Sequence, residues 1–132
     1  MIAKQPSETD IVLAAADAAS AKKAERIVIL DVSKQLVITD YFVICSGNTD
    51  RQVRTIAEEV ERVLSLDFKR KAYRREGERE GRWVLLDYVD FVVHVFHKED
   101  RDYYDLERLW KDARKIEYEE GWEQHERTRA AT

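Results

Sequence analysis

The chain has few of the residues from which disulfide scaffolds and membrane spans are built. Its 132 residues include one cysteine, one proline and four glycines. The single cysteine, Cys45, excludes an internal disulfide and fits a reducing compartment. The longest apolar runs, such as residues 41–45, are far too short to cross a membrane. No internal repeat or low-complexity segment is visible, so the composition predicts an ordinary globular protein.

The start of the chain also lacks a targeting signal. Residues 1–10 are polar and have no apolar core of the kind found in signal peptides. A chain of 132 residues is long enough for one domain that buries roughly two-thirds of its unfolded surface. We therefore expect a single cytoplasmic domain over residues 1–113, followed by a charged C-terminal extension over residues 114–132.

Net positive charge is absent as well. The formal net charge is −4, which argues against a general nucleic-acid coat because such a coat needs a basic surface. Charge is unevenly spread, since residues 69–82 hold seven basic and three acidic residues and residues 99–126 hold eleven acidic and five basic. The basic run could contact RNA phosphates, but Tyr73 is its only aromatic for stacking on bases. A solvated sheet edge protected by charge is the favoured interpretation.

The spacing of apolar residues predicts helices that alternate with strands. A helix opens at Ser7 and runs through residue 23, and further helices cover 49–66 and 100–113. Strands are predicted over 27–30, 41–45, 83–87 and 91–96, the last two as a hairpin, with a polar edge strand over 69–75. The remainder, 114–132, is expected to be an extended helix or a frayed tail. This order predicts a three-layer α/β domain with a mixed sheet of roughly five strands flanked by helices.

The run Ser46-Gly47-Asn48 joins a predicted strand to the best-patterned helix. Backbone N–H groups at such a turn, with Arg51 and Arg54 in the next turns, could hold a phosphate. The favoured alternative is that Gly47 forms the turn while Asn48 or Thr49 caps the helix. Gln52 follows Thr49 by three positions, which is a capping-box pattern.

A metal-dependent nucleotidyltransferase that uses the Ser46-Gly47 turn is the enzymatic alternative. It needs two or three carboxylates that hold a metal pair near the turn. Carboxylates occur at predicted strand ends, but no two have Asp-x-Asp spacing on one strand face; they are Asp31, Asp40, Asp87 and Asp90. His94 and His97 are three apart on a strand, so their side chains point to opposite faces. We expect no metal and no cofactor.

Aromatic residues in the second half of the chain are the stronger signal. On the 83–87 strand, one face carries Trp83, Leu85 and Asp87, and the other carries Val84, Leu86 and then Tyr88. Only one of these faces can pack on the second helix. Trp, Tyr and Arg are enriched among interface anchors, so Trp83, Tyr88 and Tyr104 either complete the core or form a binding surface.

Several motifs together resemble one known family. They are Asp40-Tyr41-Phe42-Val43-Ile44, Ser46-Gly47-Asn48 with Arg51-Gln52-Val53, Trp83-Val84-Leu85-Leu86-Asp87-Tyr88, Val93-His94-Val95-Phe96, and Arg101 with Tyr104-Asp105-Leu106-Glu107-Arg108-Leu109-Trp110. In this order, over roughly residues 23–113, they resemble the ribosomal silencing factor family, also called the Iojap family.

The resemblance implies a nucleotidyltransferase-like fold without transferase activity. It further implies binding to the large ribosomal subunit through its ribosomal protein L-fourteen, which blocks joining of the small subunit and represses translation when nutrients are limited. Members of the family are often dimeric in isolation. We expect no membrane partner and no sequence-specific contact with nucleic acid.

The residues expected to bind the partner combine aromatic anchors with acidic groups suited to a basic ribosomal protein. They are Trp83, Asp87, Tyr88, Asp90, Tyr104, Glu107 and Arg108. The chain departs from the family pattern at Val89, where the family usually has Gly. Because a β-branched residue resists a positive φ, the shape of the hairpin and the direction of Asp90 are open questions.

Overall fold

The computed structural model describes residues 6–118 of the chain. In chain order the elements are α1 (Glu8–Ala21), β1 (Glu25–Asp31), β2 (Tyr41–Gly47), α2 (Asp50–Phe68), β3 (Arg74–Glu76), β4 (Trp83–Asp87), β5 (Phe91–His97), α3 (Lys98–Tyr104), α4 (Leu106–Leu109) and β6 (Arg114–Ile116). No helix within this range is long and apolar enough to span a membrane.

The strands form one mixed sheet in the order β3-β4-β5-β2-β1-β6. β2 and β5 run parallel, and every other neighbouring pair is antiparallel. The predicted hairpin of β4 and β5 is confirmed, with Trp83 opposite Phe96 and Asp87 opposite Val92. An α/β fold with a mixed sheet is therefore correct, but the sheet has six strands within residues 6–118 rather than about five.

Two long helices cover one face of the sheet. Ser7 caps α1 in a capping box with Asp10, and Thr49 caps α2 by accepting from the Gln52 amide at 3.0 Å. The small side chains of α1 allow close approach to the sheet, and α2 buries the stripe predicted from its spacing. That stripe comprises Val53, Ile56, Ala57, Val60 and Leu64.

The opposite face of the sheet carries a smaller core. It consists of Leu30, Val32, Phe42, Ile44, Phe96 and Ala113. Leu106 and Trp110, from α4 and the residue that ends it, pack against this core from one end. The face is thus covered in part by short segments, whereas the α1 and α2 face is sealed.

The helix predicted over residues 100–113 is wrong in two respects, because it is broken at Asp105 and ends at Leu109. Asp105 adopts a left-handed conformation with φ 47°, so α3 ends and the very short α4 begins. In a continuous helix Arg101 and Glu107, six residues apart, would point in different directions. The break brings the Glu107 carboxylate back to the Arg101 guanidinium, at 2.8 Å.

The prediction of a helix or tail from residue 114 is also wrong at its start. Arg114–Ile116 forms β6, which pairs with Asp31, Leu30 and Ile29 of β1. The alternating charge gave no apolar pattern from which this strand could be predicted, because an edge strand can be polar on its exposed side. Residues 119–132 lie outside the described part of the chain. At the other edge, the strand predicted over 69–75 is confined to Arg74–Glu76.

Candidate protein-binding face

The candidate site is the sheet face opposite α1 and α2, which we call the open face. Along β4 the side chains alternate as predicted: Val84 and Leu86 are fully buried on the helix side, whereas Trp83, Leu85 and Asp87 are half-buried on the open face. Within residues 6–118, the helices that lie against the open face are the short α3 and α4. The sheet itself therefore presents side chains toward solvent.

Trp83 is the centre of an aromatic cluster on this face. Its ring lies 4.7 Å from that of Phe96 and 4.8 Å from that of Tyr104, centroid to centroid. Its indole N–H donates to His94 Nδ1 at 3.1 Å. Tyr104 is 46% exposed. Two predicted anchors, Trp83 and Tyr104, are thus brought together as a half-buried aromatic surface at one end of β4.

His94 lies beneath this cluster and is uncharged. Burial lowers the pKa of its imidazole to about 3. Its Nδ1 accepts from Trp83, so the single ring proton of the neutral form is on Nε2. Phe42 packs edge-on against the imidazole at 4.8 Å. The middle of the open face is therefore apolar and carries one neutral N–H donor.

The β4–β5 hairpin forms the other end of the open face. Val89 has φ 74°, so the chain keeps the positive φ that its Val resists. The Asp87 carboxylate accepts from the Val89 amide at 2.8 Å and lies 3.7 Å from the Arg74 guanidinium. Asp90 is exposed and lies 3.7 Å from Arg70. Both predicted acidic contacts are present at the surface, but each has an arginine beside it.

Tyr88 is not on the open face. It is 3% exposed and stacks on Phe91 at 4.8 Å within the core beneath α1 and α2. Burial raises the pKa of its phenol. The alternation of Val84, Leu86 and Tyr88 already indicated this position, because all three share one side of the strand. Tyr88 therefore contributes to the core rather than to an exposed anchor.

Glu107 has an internal partner, and that partner was missing from the predicted site. Arg101 is 1% exposed, and its guanidinium donates to the Glu107 carboxylate at 2.8 and 3.2 Å, to Ser46 Oγ at 2.7 Å and to the Arg26 carbonyl at 2.7 Å. It thereby joins α3 and α4 to the ends of β1 and β2. In the sequence, Arg101 was distinguished only by belonging to the same family motif as Tyr104. Arg108 is exposed.

The turn after β2 is bonded within the protein. The Asn48 amide donates to Gln52 Oε1 at 2.6 Å, and Gln52 Nε2 donates to the carbonyls of Lys22 and Lys23. Ser46 Oγ is occupied by Arg101. These bonds fit the capping interpretation of the turn. Among residues 6–118, no three His, Cys, Asp or Glu residues are grouped so that they could hold a metal.

Comparison with known proteins identifies the family. Residues 4–132 match the family model described as ribosomal silencing factor during starvation. The chain is 43% identical over 116 residues to the ribosomal silencing factor RsfS of Halalkalibacterium halodurans, covering 86% of this chain and 96% of that one. It is 45% identical over 107 residues to RsfS of Bacillus subtilis, covering 81% and 90%.

A solved structure shares the fold. The crystal structure of protein CV0518 from Chromobacterium violaceum superposes with a TM-score of 0.76 at 33% identity, covering 85% of this chain and 92% of that one. The match to the family model spans nearly the whole chain, and the relatives align over most of their own length. The chain belongs to the ribosomal silencing factor family.

Proposed function

We propose that this protein binds the large ribosomal subunit through its ribosomal protein L-fourteen and sterically blocks joining of the small subunit. The result would be repression of translation in the cytoplasm under nutrient limitation. The description of the matching family, ribosomal silencing factor during starvation, and the names of the relatives, ribosomal silencing factor, support the general role. The observation that carries the structural part is the open face, where half-buried aromatic residues lie among exposed aliphatic ones.

The exposed apolar residues are concentrated around this face. Ile38 is 81% exposed, Tyr73 and Val89 are also exposed, and all three line one groove on the open face. Contiguous exposed apolar surface of this kind marks a protein-binding site, because a monomer gains nothing from leaving it in water. A rim of charged residues, Asp87 and Arg74 among them, completes the usual anatomy of an interface.

The proposed action does not need catalysis. A rigid domain seated on the surface where two subunits meet excludes the second subunit by its volume alone. Its strength depends on a desolvated anchor, for which Trp83 and Tyr104 are suited, and on a charged rim that fixes orientation. The nucleotidyltransferase-like character of the fold, without transferase activity, is part of the same proposal.

The residues predicted to bind the partner accordingly fall into two groups, those that contact it and those that support the surface from inside. Trp83, Asp87, Asp90, Tyr104 and Arg108 are proposed to contact the partner directly. Tyr88 and Glu107 support that surface from inside, Tyr88 by packing on Phe91 and Glu107 through Arg101. Because arginines already lie beside Asp87 and Asp90, apolar contact rather than net negative charge is expected to supply most of the affinity.

A pair of matched variants tests the face. Ile38→Glu places a charge in an exposed position of the open face, and Leu66→Glu places one at a 67% exposed position on α2. Neither side chain has much packing to lose, so both variants should remain as stable as the parent. We expect Ile38→Glu to weaken binding to isolated large subunits about ten-fold or more, and Leu66→Glu to leave it unchanged. Equal binding by both variants would contradict the proposed face.

A further inference from the structure

A groove of about 390 Å³ crosses the open face between the hairpin and the connection that precedes β2. Its lining is predominantly apolar and comes from segments distant in sequence. The apolar members are Leu36, Ile38, Phe42, Leu85, Val89 and Val92. Arg74 and Asp87, which lie 3.7 Å apart, are its charged members. The groove is therefore an apolar depression with a charge-balanced rim.

Two side chains that line the groove each have one polar atom without a hydrogen-bond partner among the described residues. His94 and Thr39 are each 5% exposed, and within the described residues neither His94 Nε2 nor Thr39 Oγ1 is bonded. Nε2 carries the imidazole proton, as its bond with Trp83 requires, so it is an unused donor. Buried polar groups are nearly always bonded, because leaving them unbonded costs free energy. Two such groups in one groove indicate that something else supplies the missing bonds.

The rim of the groove holds a strained residue. Val89 is β-branched and sits at φ 74°, an unfavourable conformation for such a side chain. Bonds from the Val89 amide to Asp87 and from the Asp90 amide to the Tyr88 carbonyl, at 2.9 Å, hold it there. The Val89 side chain remains 53% exposed. Strain of this kind is retained where the surroundings enforce it, commonly at binding sites.

We infer that this groove is a specific subsite that receives one apolar side chain of the protein partner, and that the backbone C=O and N–H of the same residue bond to His94 Nε2 and Thr39 Oγ1. The inference rests on the proposed function, since the partner is the ribosomal protein bound by the open face. In an extended segment the C=O and N–H of one residue point to the same side, so the carbonyl can accept from Nε2–H while the N–H donates to the hydroxyl. Val89 closes over the inserted side chain from the rim.

A protein segment fits the groove better than a free small molecule does. The exposed apolar surface continues past the groove at Val37, and a small ligand would leave this surface in water. A charged ligand is disfavoured because the groove offers neutral groups at its base and an ion pair at its rim. Both unbonded atoms are shielded from water in the free protein, so a side chain that lines the groove must move when the partner docks. Ile38, with little packing of its own, is suited to this.

Two substitutions separate this inference from a purely structural role. Thr39→Val keeps the side-chain shape and removes a hydroxyl that has no partner in the free protein, so thermal stability should be unchanged or higher. Val89→Gly relieves the positive φ, so the melting temperature should rise. Both should nevertheless weaken binding to isolated large subunits about five-fold or more, because each removes a contact made only in the complex. Thr55→Val, the same substitution on α2, is the control.

The outcomes distinguish the inference from the function on which it rests. Lower affinity without lower stability in Thr39→Val and Val89→Gly supports the subsite. Parental affinity in both, while Ile38→Glu still fails to bind, overturns the subsite and leaves the open face as the docking surface. Failure of the unmodified protein itself to bind large subunits overturns the proposed function and the subsite with it.

Discussion

Two buried polar residues show opposite solutions to the cost of removing a polar side chain from water. The buried guanidinium of Arg101 is compensated by the carboxylate of Glu107, the hydroxyl of Ser46 and the carbonyl of Arg26, which all accept from it. His94 has aromatic neighbours, and burial keeps it neutral. The first residue holds elements together, and the second leaves a donor at the binding face.

Replacing Arg101 tests the first solution. Arg101→Met removes the guanidinium while keeping an unbranched side chain, and it leaves Glu107 and the Arg26 carbonyl without their main partner. We expect a loss of about 3–5 kcal/mol in the free energy of unfolding, measured by urea denaturation. Arg108→Met, at an exposed position on α4, should change stability by no more than about 0.5 kcal/mol. A similar small change in both variants would contradict the role assigned to Arg101.

The pH dependence of stability tests the second solution, in which His94 is buried in its neutral form. The pKa of His94 is about 3 in the folded protein, against 6.5 ordinarily. Between these values the unfolded chain binds a proton that the folded chain does not, so stability falls as pH drops below 6.5 and the loss is complete near pH 3. Because of His94, the free energy of unfolding should be about 2 kcal/mol lower at pH 5 than at pH 7.

His94→Phe supplies the comparison, because it has no imidazole to titrate. Its absolute stability will differ, since the Trp83 N–H loses its acceptor, but the change between pH 7 and pH 5 is the quantity of interest. We expect the parent to lose about 2 kcal/mol more than the variant over this interval. Parallel stability curves for the two proteins would show that His94 is not held neutral by burial.

At the scale of elements, local pattern and capping were sufficient to predict a helix or strand whose apolar residues all lie on one face. α2 shows a complete apolar stripe and a Thr49 cap, and β4 shows strict alternation, so both are predictable from sequence. The break at Asp105 and the strand β6 are not, because each depends on a distant partner. The Arg101 side chain that bonds Glu107 across the break is held by Ser46 and Arg26, which are distant in sequence, and β6 forms because β1 offers an unpaired edge.

Shortening the chain tests the contribution of β6. A chain ending at Ala113 loses three ladder pairs with β1, the bond from Arg114 to Asp31 at 3.0 Å and the bond from Tyr118 to Asp17 at 3.3 Å. A chain ending at Tyr118 retains all of these. We expect the shorter chain to be less stable than the longer one by about 1–3 kcal/mol in denaturant unfolding. Equal stability would mean that β6 adds nothing to the sheet.

At the scale of the whole molecule, the sheet is sealed on one face and open on the other. Sequence reasoning correctly assigned Trp83 and Asp87 to one side of β4 and placed Tyr104 nearby. It misplaced Tyr88, although the same alternation put that residue in the core. It could not find the groove, because Thr39, Tyr73 and His94 come from separate segments that only the folded sheet brings together.

Arginines beside the acidic residues limit what charge can contribute to docking. The carboxylates predicted to attract a basic partner each have an arginine within 3.7 Å: Arg74 for Asp87, Arg70 for Asp90 and Arg101 for Glu107. The pairs at Asp87 and Asp90 lie at the surface and are worth little, and all three pairs reduce the net field there. We therefore expect docking to depend on the aromatic and aliphatic surface, with charge guiding orientation.

The most direct measurement is the joining of purified ribosomal subunits, followed by sedimentation in the presence of the protein. The unmodified protein should shift the subunits toward the separated state in proportion to its concentration. Trp83→Ala and Asp87→Lys, once circular dichroism has shown that each remains folded, should leave joining as it is without any protein. If either folded variant still blocked joining at the concentration at which the parent does, the open face would not be the surface through which this protein acts.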